Sequence, residues 1–296
     1  MNPQIPANPL AEMISTLDLA KIDNPNSRED IFEGQSQWMP HGRVFGGQVL
    51  AQSLVAASRT IEDRSVHSMH GYFLRPGDIN LPVTFSVDRL RDGRSFSTRR
   101  VQAFQKNEPI FSMIASYQVL DPGLEHQDEF PSDIPDPESL PSAADLMGDN
   151  PHPVAQYWSK ARPFDMRHVP SPIYFKVEGE PVAHQAVWLR SLGELPDNQE
   201  LHTAALAYAS DYSILESIYR RHGIAWSHPG LKSASLDHAM WFHRPARADQ
   251  WMLYVQESPS AQGGRGLAIG KIFSSRGELL ATVAQEGMVR IPELAK

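Results

Sequence analysis

There is no cysteine in the 296 residues. Disulfides, thiolate metal ligands and a cysteine nucleophile are therefore excluded, and the chain suits a reducing cytoplasm. Basic residues are in deficit: 27 Lys and Arg face 35 Asp and Glu, a net charge of −8, the reverse of the balance expected of a nucleic-acid binder. An anionic small molecule needs only a local cluster of arginines and stays open. No apolar run approaches the ~18 residues of a membrane span. The start, MNPQIPANPL, lacks a basic segment leading into an apolar core, so no signal peptide is expected. The final ELAK is not the SKL peroxisomal address. A cytoplasmic protein is expected. Several catalytic signatures are missing as well. GQSQW (Gly34 to Trp38) lacks the second glycine of G-x-S-x-G. Gly46–Gly47 is not followed by G-x-G-x-x-G or a P-loop, and there is no H-E-x-x-H. His67 and His70 form H-x-x-H, but on a strand that spacing sends the two rings to opposite faces, so neither a metal nor another cofactor is expected.

What is present is a chain that is 41% hydrophobic, enough for a substantial core. Residues 121–153 are rich in proline and acids and read as an extended, solvated linker. The expected division is a first domain over 1–120, a linker over 121–165 and a second domain over 166–296. The two halves match weakly at one offset (244 − 75 = 169). HGYFLRP (His70 to Pro76) pairs with AMWFHRP (Ala239 to Pro245), and EPIFSMIAS (Glu108 to Ser116) with GELLATVAQ (Gly277 to Gln285). GGQVLAQSLVAA (Gly46 to Ala57) parallels SDYSILESIYRR (Ser210 to Arg221). An internal duplication follows. Each half carries a first strand, a helix and then β-rich segments. Val83, Phe85 and Val87 alternate with Thr84, Ser86 and Asp88, and turn signals such as RPGD and RDGR divide the strands. The helix over Val49–Ile61 is apolar nearly all round, which predicts burial. The pattern is α+β: a helix enclosed by a curled antiparallel sheet, twice.

Asp211, in ALAYASDYSILESIYRRHG, reads as the doorway of an apolar helix. A helix N-cap explains it plainly, and Ser210 or Ser213 could share that role, Ser213 with Glu216 as a capping box. The wider pattern points elsewhere. VFGGQVLAQ, VHSMHGYFLRPGD, LRDGRSFSTRRV, SLDHAMWFHRP and AQEGMVR, in this order across nearly the whole chain, resemble the type II acyl-CoA thioesterases. The resemblance implies a double hot-dog fold whose two halves pair into one continuous sheet. It implies hydrolysis of acyl-CoA to free acid and CoA without a cofactor. The positions matching the family's catalytic set are Asp211, Ser235 and Gln285, spaced by 24 (235 − 211) and 50 (285 − 235). These residue types suit direct attack of water on a thioester: Asp211 as base, Ser235 and Gln285 as the groups that hold the water. On this reading a helix N-terminus keeps the Asp211 carboxylate ionised. The first half has Gly47 and Ser116 at the corresponding places, so one active centre per chain is expected. Gly46, Gly47, His67, Arg91 and Arg94 are candidate substrate-binding residues. The two glycines read equally as close packing at a helix start; the arginines, in the turn, would meet CoA phosphates. Asp237–His238 would face opposite ways on a strand, so a structural or supporting role for Ser235 is expected there. The partner is acyl-CoA, and a homo-oligomer is expected by analogy. The rival readings are a non-catalytic acyl-CoA sensor and a hot-dog enoyl-CoA hydratase.

Overall fold

The structure, a computed structural model, describes residues 5–23 and 29–292. A short helix α1 (Pro9–Leu17) and strand β1 (Ala20–Ile22) lead into β2 (Asp30–Gly34), α2 (Gly46–Ser58) and four strands: β3 (Ser65–Phe73), β4 (Val83–Asp92), β5 (Phe96–Gln105) and β6 (Glu108–Gln118). After the joining stretch come β7 (Phe164–His168), β8 (His184–Ser191), α5 (Gln199–Ser210), α6 (Glu216–Arg221), β9 (Lys232–Ser235), β10 (Asp237–Phe242), β11 (Met252–Gln262), β12 (Arg265–Ser274) and β13 (Leu279–Arg290). The joining stretch itself holds α3 (Ala143–Met147) and α4 (Pro153–Gln156). The strands form one antiparallel sheet in the order β1-β2-β4-β5-β6-β3-β10-β13-β12-β11-β8-β7, with β9 paired to β13. This is the double hot-dog expected from the motifs. The halves join at β3 and β10, where His70 pairs with Ala239. Those two residues differ by the duplication offset (239 − 70 = 169), so the seam is centred on the pseudo-two-fold relation read from the sequence.

Alternation decides which side chains reach the core. Val83, Phe85 and Val87 are fully buried, as are Val101, Ala103, Met113 and Ala115 at the same parity on β5 and β6. The α2 helix is enclosed, but three of its buried residues, Gln48, Gln52 and Ser53, are polar. Gln48 accepts from the Gln37 backbone N–H at 3.0 Å and donates to Gln52, which donates in turn to the Thr16 carbonyl at 3.0 Å. These bonds satisfy amides that would otherwise be costly to bury, and they fasten α2 to the segments preceding it.

The joining stretch is exposed and without regular structure over 121–129, as its composition predicts, but it is also anchored to the second half. Phe130 packs on Trp188 and Phe273 of the second-half sheet, with ring centroids 6.4 and 5.6 Å away. Gln127 pairs with the backbone of Gly277 and Leu279, and the Trp188 indole donates to the Pro135 carbonyl at 3.0 Å. Proline removed the regular backbone ladder here; side-chain anchoring replaced it.

The helix read as starting at Asp211 begins twelve residues earlier. Asn198 caps α5, its side chain accepting from the N–H groups of Glu200 and Leu201. Asp211 stands at the C-terminal end, and the chain then turns through Tyr212–Leu215 before α6. No capping box forms: Ser213 accepts from Gln256 at 2.7 Å, and Glu216 is wholly committed to His168 (3.0 Å), Gln185 (2.9 Å) and Trp226 (2.9 Å). The sequence signal failed because the preceding residues, LHTAALAYAS, are as good helix formers as those that follow.

The two helices α2 and α5 touch at Gly47. A Cβ there would lie 2.3 Å from the Tyr208 carbonyl oxygen and 2.5 Å from the Phe45 ring. Backbone cannot yield as a side chain can, so Gly47→Ala must push the helices apart. We expect a loss of about 1–3 kcal/mol, read as a lower urea midpoint at unchanged m-value. An unaltered midpoint would refute the tight crossing.

Candidate active site

The α2–α5 crossing places two glycines against one acid. The Gly47 N–H faces the Asp211 carboxylate and favours its ionised form, and a Cβ on Gly46 would meet Asp211 Oδ2 at 2.6 Å. Asp211 is thus at the C-terminal end of its own helix, where the macrodipole disfavours an anion, yet it faces the N-terminus of α2, which favours one. The helix N-terminus expected beside the carboxylate, that of Asp211's own helix, is not there; the one that faces it belongs to α2, in the other half of the chain.

Ser235 at the end of β9 and Gln285 on β13 converge on the same carboxylate. Ser235 Oγ donates to Asp211 Oδ1 at 3.0 Å. Gln285 Nε2 donates to Asp211 Oδ1 at 2.9 Å and to Ser235 Oγ at 2.9 Å. The chain breaks strand geometry at Leu236, whose N–H goes to the Glu286 carbonyl and whose carbonyl accepts from Phe73. Asp237 holds that break by accepting from the Glu286 N–H at 2.7 Å. Three residues scattered over 75 positions (285 − 211 + 1) become one hydrogen-bonded triangle.

Behind the triangle lies His238, with no exposed surface. Its Nδ1 meets Gln285 Oε1 in a short contact, and its Nε2 meets Ser210 Oγ at 3.0 Å. Burial lowers the His238 pKa, against the pull of Asp211 and Gln285, so the ring is neutral. An amide oxygen only accepts, so a proton belongs on Nδ1; the Ser210 hydroxyl, which donates to the Ala207 carbonyl at 2.8 Å, packs against Nε2. His238 therefore fixes which end of the Gln285 amide faces Asp211. Burial also raises the Asp211 pKa, opposed by His238, Gln285, Ser235 and the Gly47 N–H. The sequence placed His238 near Ser235 but not against Gln285, because the cross-strand partner depends on register.

The triangle opens on a cavity of about 590 Å³, within the usual range for a small-molecule site. Asp211, Ser235 and Gly46 line it. Gly47 lies just behind Gly46 at the helix crossing. Its rim carries His41, Arg43 and Arg75, all exposed. Its interior is aromatic, with Phe45, Phe73, Tyr157, Trp158, Tyr212 and Trp226. The structure does not bring His67, Arg91 or Arg94 here. Arg91 and Arg94 are at the β4–β5 hairpin. His67 bonds Ser116 Oγ at 2.8 Å and meets the edge of Phe96. A register shift between Val66 and Ser68 swings His67 toward the outer face of the sheet, where His70 packs on Trp241; the opposite-face expectation fails at this bulge. Each ring has its own partner, and no group of three or more metal-type ligands occurs among the described residues. The residues missed by sequence reasoning are Tyr157, Trp158 and Arg162, which lie in the proline-poor tail of the joining stretch.

Fold and site together define a double hot-dog protein with one carboxylate–hydroxyl–amide centre per chain. Comparison with known proteins narrows this further. Residues 159–288 match the acyl-CoA thioesterase family and residues 35–118 the acyl-CoA thioesterase N-terminal domain. The chain is 40% identical to human acyl-coenzyme A thioesterase 8 over 291 residues, covering 94% of this chain and 88% of that protein. It is 39% identical to acyl-CoA thioesterase 2 of Haemophilus influenzae over 294 residues, covering 96% and 99%. Among solved structures, an acyl-CoA thioesterase II from Mycobacterium marinum superposes with a TM-score of 0.76 at 42% identity, covering 96% of this chain and 99% of that one. The chain belongs to the acyl-CoA thioesterase family.

The raised Asp211 pKa has a measurable sign. If Asp211 is the base, which must be deprotonated to act, thioesterase kcat/KM should fall as pH drops through a value above the ordinary aspartate range of about 3.9. An acid limb at or below that value would contradict the burial of Asp211.

Proposed function

We propose that the chain hydrolyses acyl-CoA thioesters by direct attack of a water held between Asp211, Ser235 and Gln285. The convergence of Ser235 and Gln285 on the Asp211 carboxylate, where Asp211 and Ser235 line the cavity, carries the reading. Asp211 takes a proton from the water. Ser235 and Gln285 orient the water, removing part of the entropic barrier. The new bond joins the water oxygen to the acyl carbon, the carbon–sulfur bond breaks, and the proton held by Asp211 passes to the departing CoA sulfur. Gly46 sits at the N-terminus of α2 on the same wall, which suits a developing oxyanion. The exposed Arg43 and Arg75 at the rim take the place given to Arg91 and Arg94 as partners for CoA phosphates.

A hydratase would need a histidine presenting its proton to the substrate. His238, the histidine beside Asp211, is sealed behind Gln285 and does not line the cavity. A pure sensor would have no use for a buried carboxylate of raised pKa. The cysteine-free chain also supports a cytoplasmic setting, and the exposed Tyr72, Ile114 and Trp241 on the outer sheet face support a homo-oligomer.

Thiol release from acyl-CoA is the direct assay. Asp211→Asn should lower kcat by about 10²–10⁴-fold with little change in KM, and Gln285→Ala should also lose rate. Full activity in both variants would sink the assignment. His238 acts through Gln285 as a positioning residue. His238→Leu should reduce kcat about 10²-fold while KM holds. His238→Asn, whose amide N–H can replace Nδ1–H, should recover most of the loss. Equal activity in the two variants would deny that orientation role.

A further inference from the structure

Three arginines are buried, and two of them are conventionally partnered. Arg99 bonds Asp92 at 2.7 Å and Thr60 Oγ1 at 2.8 Å, and Arg220 bonds the backbone carbonyls of Glu178 and Ser171. Arg162 is different. It is only 9% exposed and, like Arg220, has no ion pair among the described residues, but unlike Arg220 it makes no hydrogen bond to an oxygen there. Its Nη1 meets Met166 Sδ at 3.5 Å, and its Nε has no hydrogen-bond partner. Ring faces surround it instead: the guanidinium carbon lies 4.6 Å from the Tyr212 centroid, 5.7 Å from Tyr157 and 5.9 Å from Trp158. The hydroxyls of Tyr157, Tyr174 and Tyr212 are also buried without a hydrogen-bond partner. Ring faces offset part of the cost of burying a cation; the Tyr157 and Tyr174 hydroxyls lie toward the guanidinium but complete no hydrogen bond with it. One guanidinium and three hydroxyls thus share a single deficit, which an anion would fill.

Arg162, Tyr157 and Tyr212 line the cavity that Asp211 lines. We propose that Arg162, with the Tyr157 and Tyr212 hydroxyls, binds a carboxylate at the far end of the acyl chain, so that ω-carboxyacyl-CoA thioesters are the preferred substrate class. This rests on the reading above that the cavity receives acyl-CoA. A carboxylate matches the planar fork of a guanidinium and brings a single charge, which one buried arginine can neutralise. The CoA phosphates are multiply charged and strongly hydrated, and the exposed Arg43 and Arg75 at the rim suit them better. Tyr212 follows Asp211 directly in the chain and stacks on Arg162, so the thioester carbon and the far carboxylate are only a few methylenes apart.

The test compares adipoyl-CoA with hexanoyl-CoA, which have acyl chains of equal length and differ at the end group. The wild type should hydrolyse adipoyl-CoA with at least tenfold higher kcat/KM. In Arg162→Met that ratio should collapse, through a raised KM for adipoyl-CoA, while hexanoyl-CoA hydrolysis is kept or improved. A wild type that prefers hexanoyl-CoA overturns the proposal even if the variant fails to fold. An equal loss on both substrates would assign Arg162 to CoA itself and overturn it too. Absence of activity on either substrate in the wild type, with both thioesters intact, would instead defeat the thioesterase reading on which it rests.

Discussion

The close approach of α2 to α5 at Gly47 is the contact on which the site depends. Without a side chain there, the N-terminal turn of α2 reaches the carbonyl of Tyr208 and the carboxylate of Asp211. The crossing sets the depth of Asp211 and supplies it with an N–H donor. It also gives Gly46 a place on the cavity wall. Neither helix could do this alone: α5 ends in carbonyls, and α2 has no acid.

Low polarity then governs the chemistry. Burial works against charge on both members of the deeper pair, raising Asp211 and lowering His238. The consequence for Asp211 is a carboxylate more basic than an exposed one. The consequence for His238 is a single tautomer, which orients an otherwise ambiguous amide. Two neutral donors in series, His238 to Gln285 and Gln285 to Asp211, end on the one carboxylate. Elsewhere the same chain buries Glu216 as an anion. Desolvation opposes that, but His168, Gln185 and Trp226 outweigh it and hold the pKa down.

Much of this was legible in the residues. The strand segments of both halves, the buried α2 and the duplication offset all appeared as local alternation and spacing, and the joined sheet and Asp211–Ser235–Gln285 followed from the family motifs. Three things did not appear, each for a physical reason. The start of α5 was hidden by a helix-forming run on both sides of Asp211. The role of the joining stretch depends on tertiary anchors such as Phe130 and Gln127, which no periodicity reveals. The position of His67 depends on a bulge, which shifts facing by one residue without a mark in composition. Arg91 and Arg94 misled because a turn arginine looks the same whether or not a cavity lies beneath it.

The approach of Gly47 to Asp211 also bears on how such a chain can evolve. Its acid comes from one repeat and its helix N-terminus from the other. A symmetric ancestor would have had both elements in each copy, two centres across one interface. Once one copy lost its acid and the other kept it, the repeats became mutually obligate. Separating the gene into its two halves would then yield two proteins with half a site each, so fusion, once fixed, is difficult to reverse.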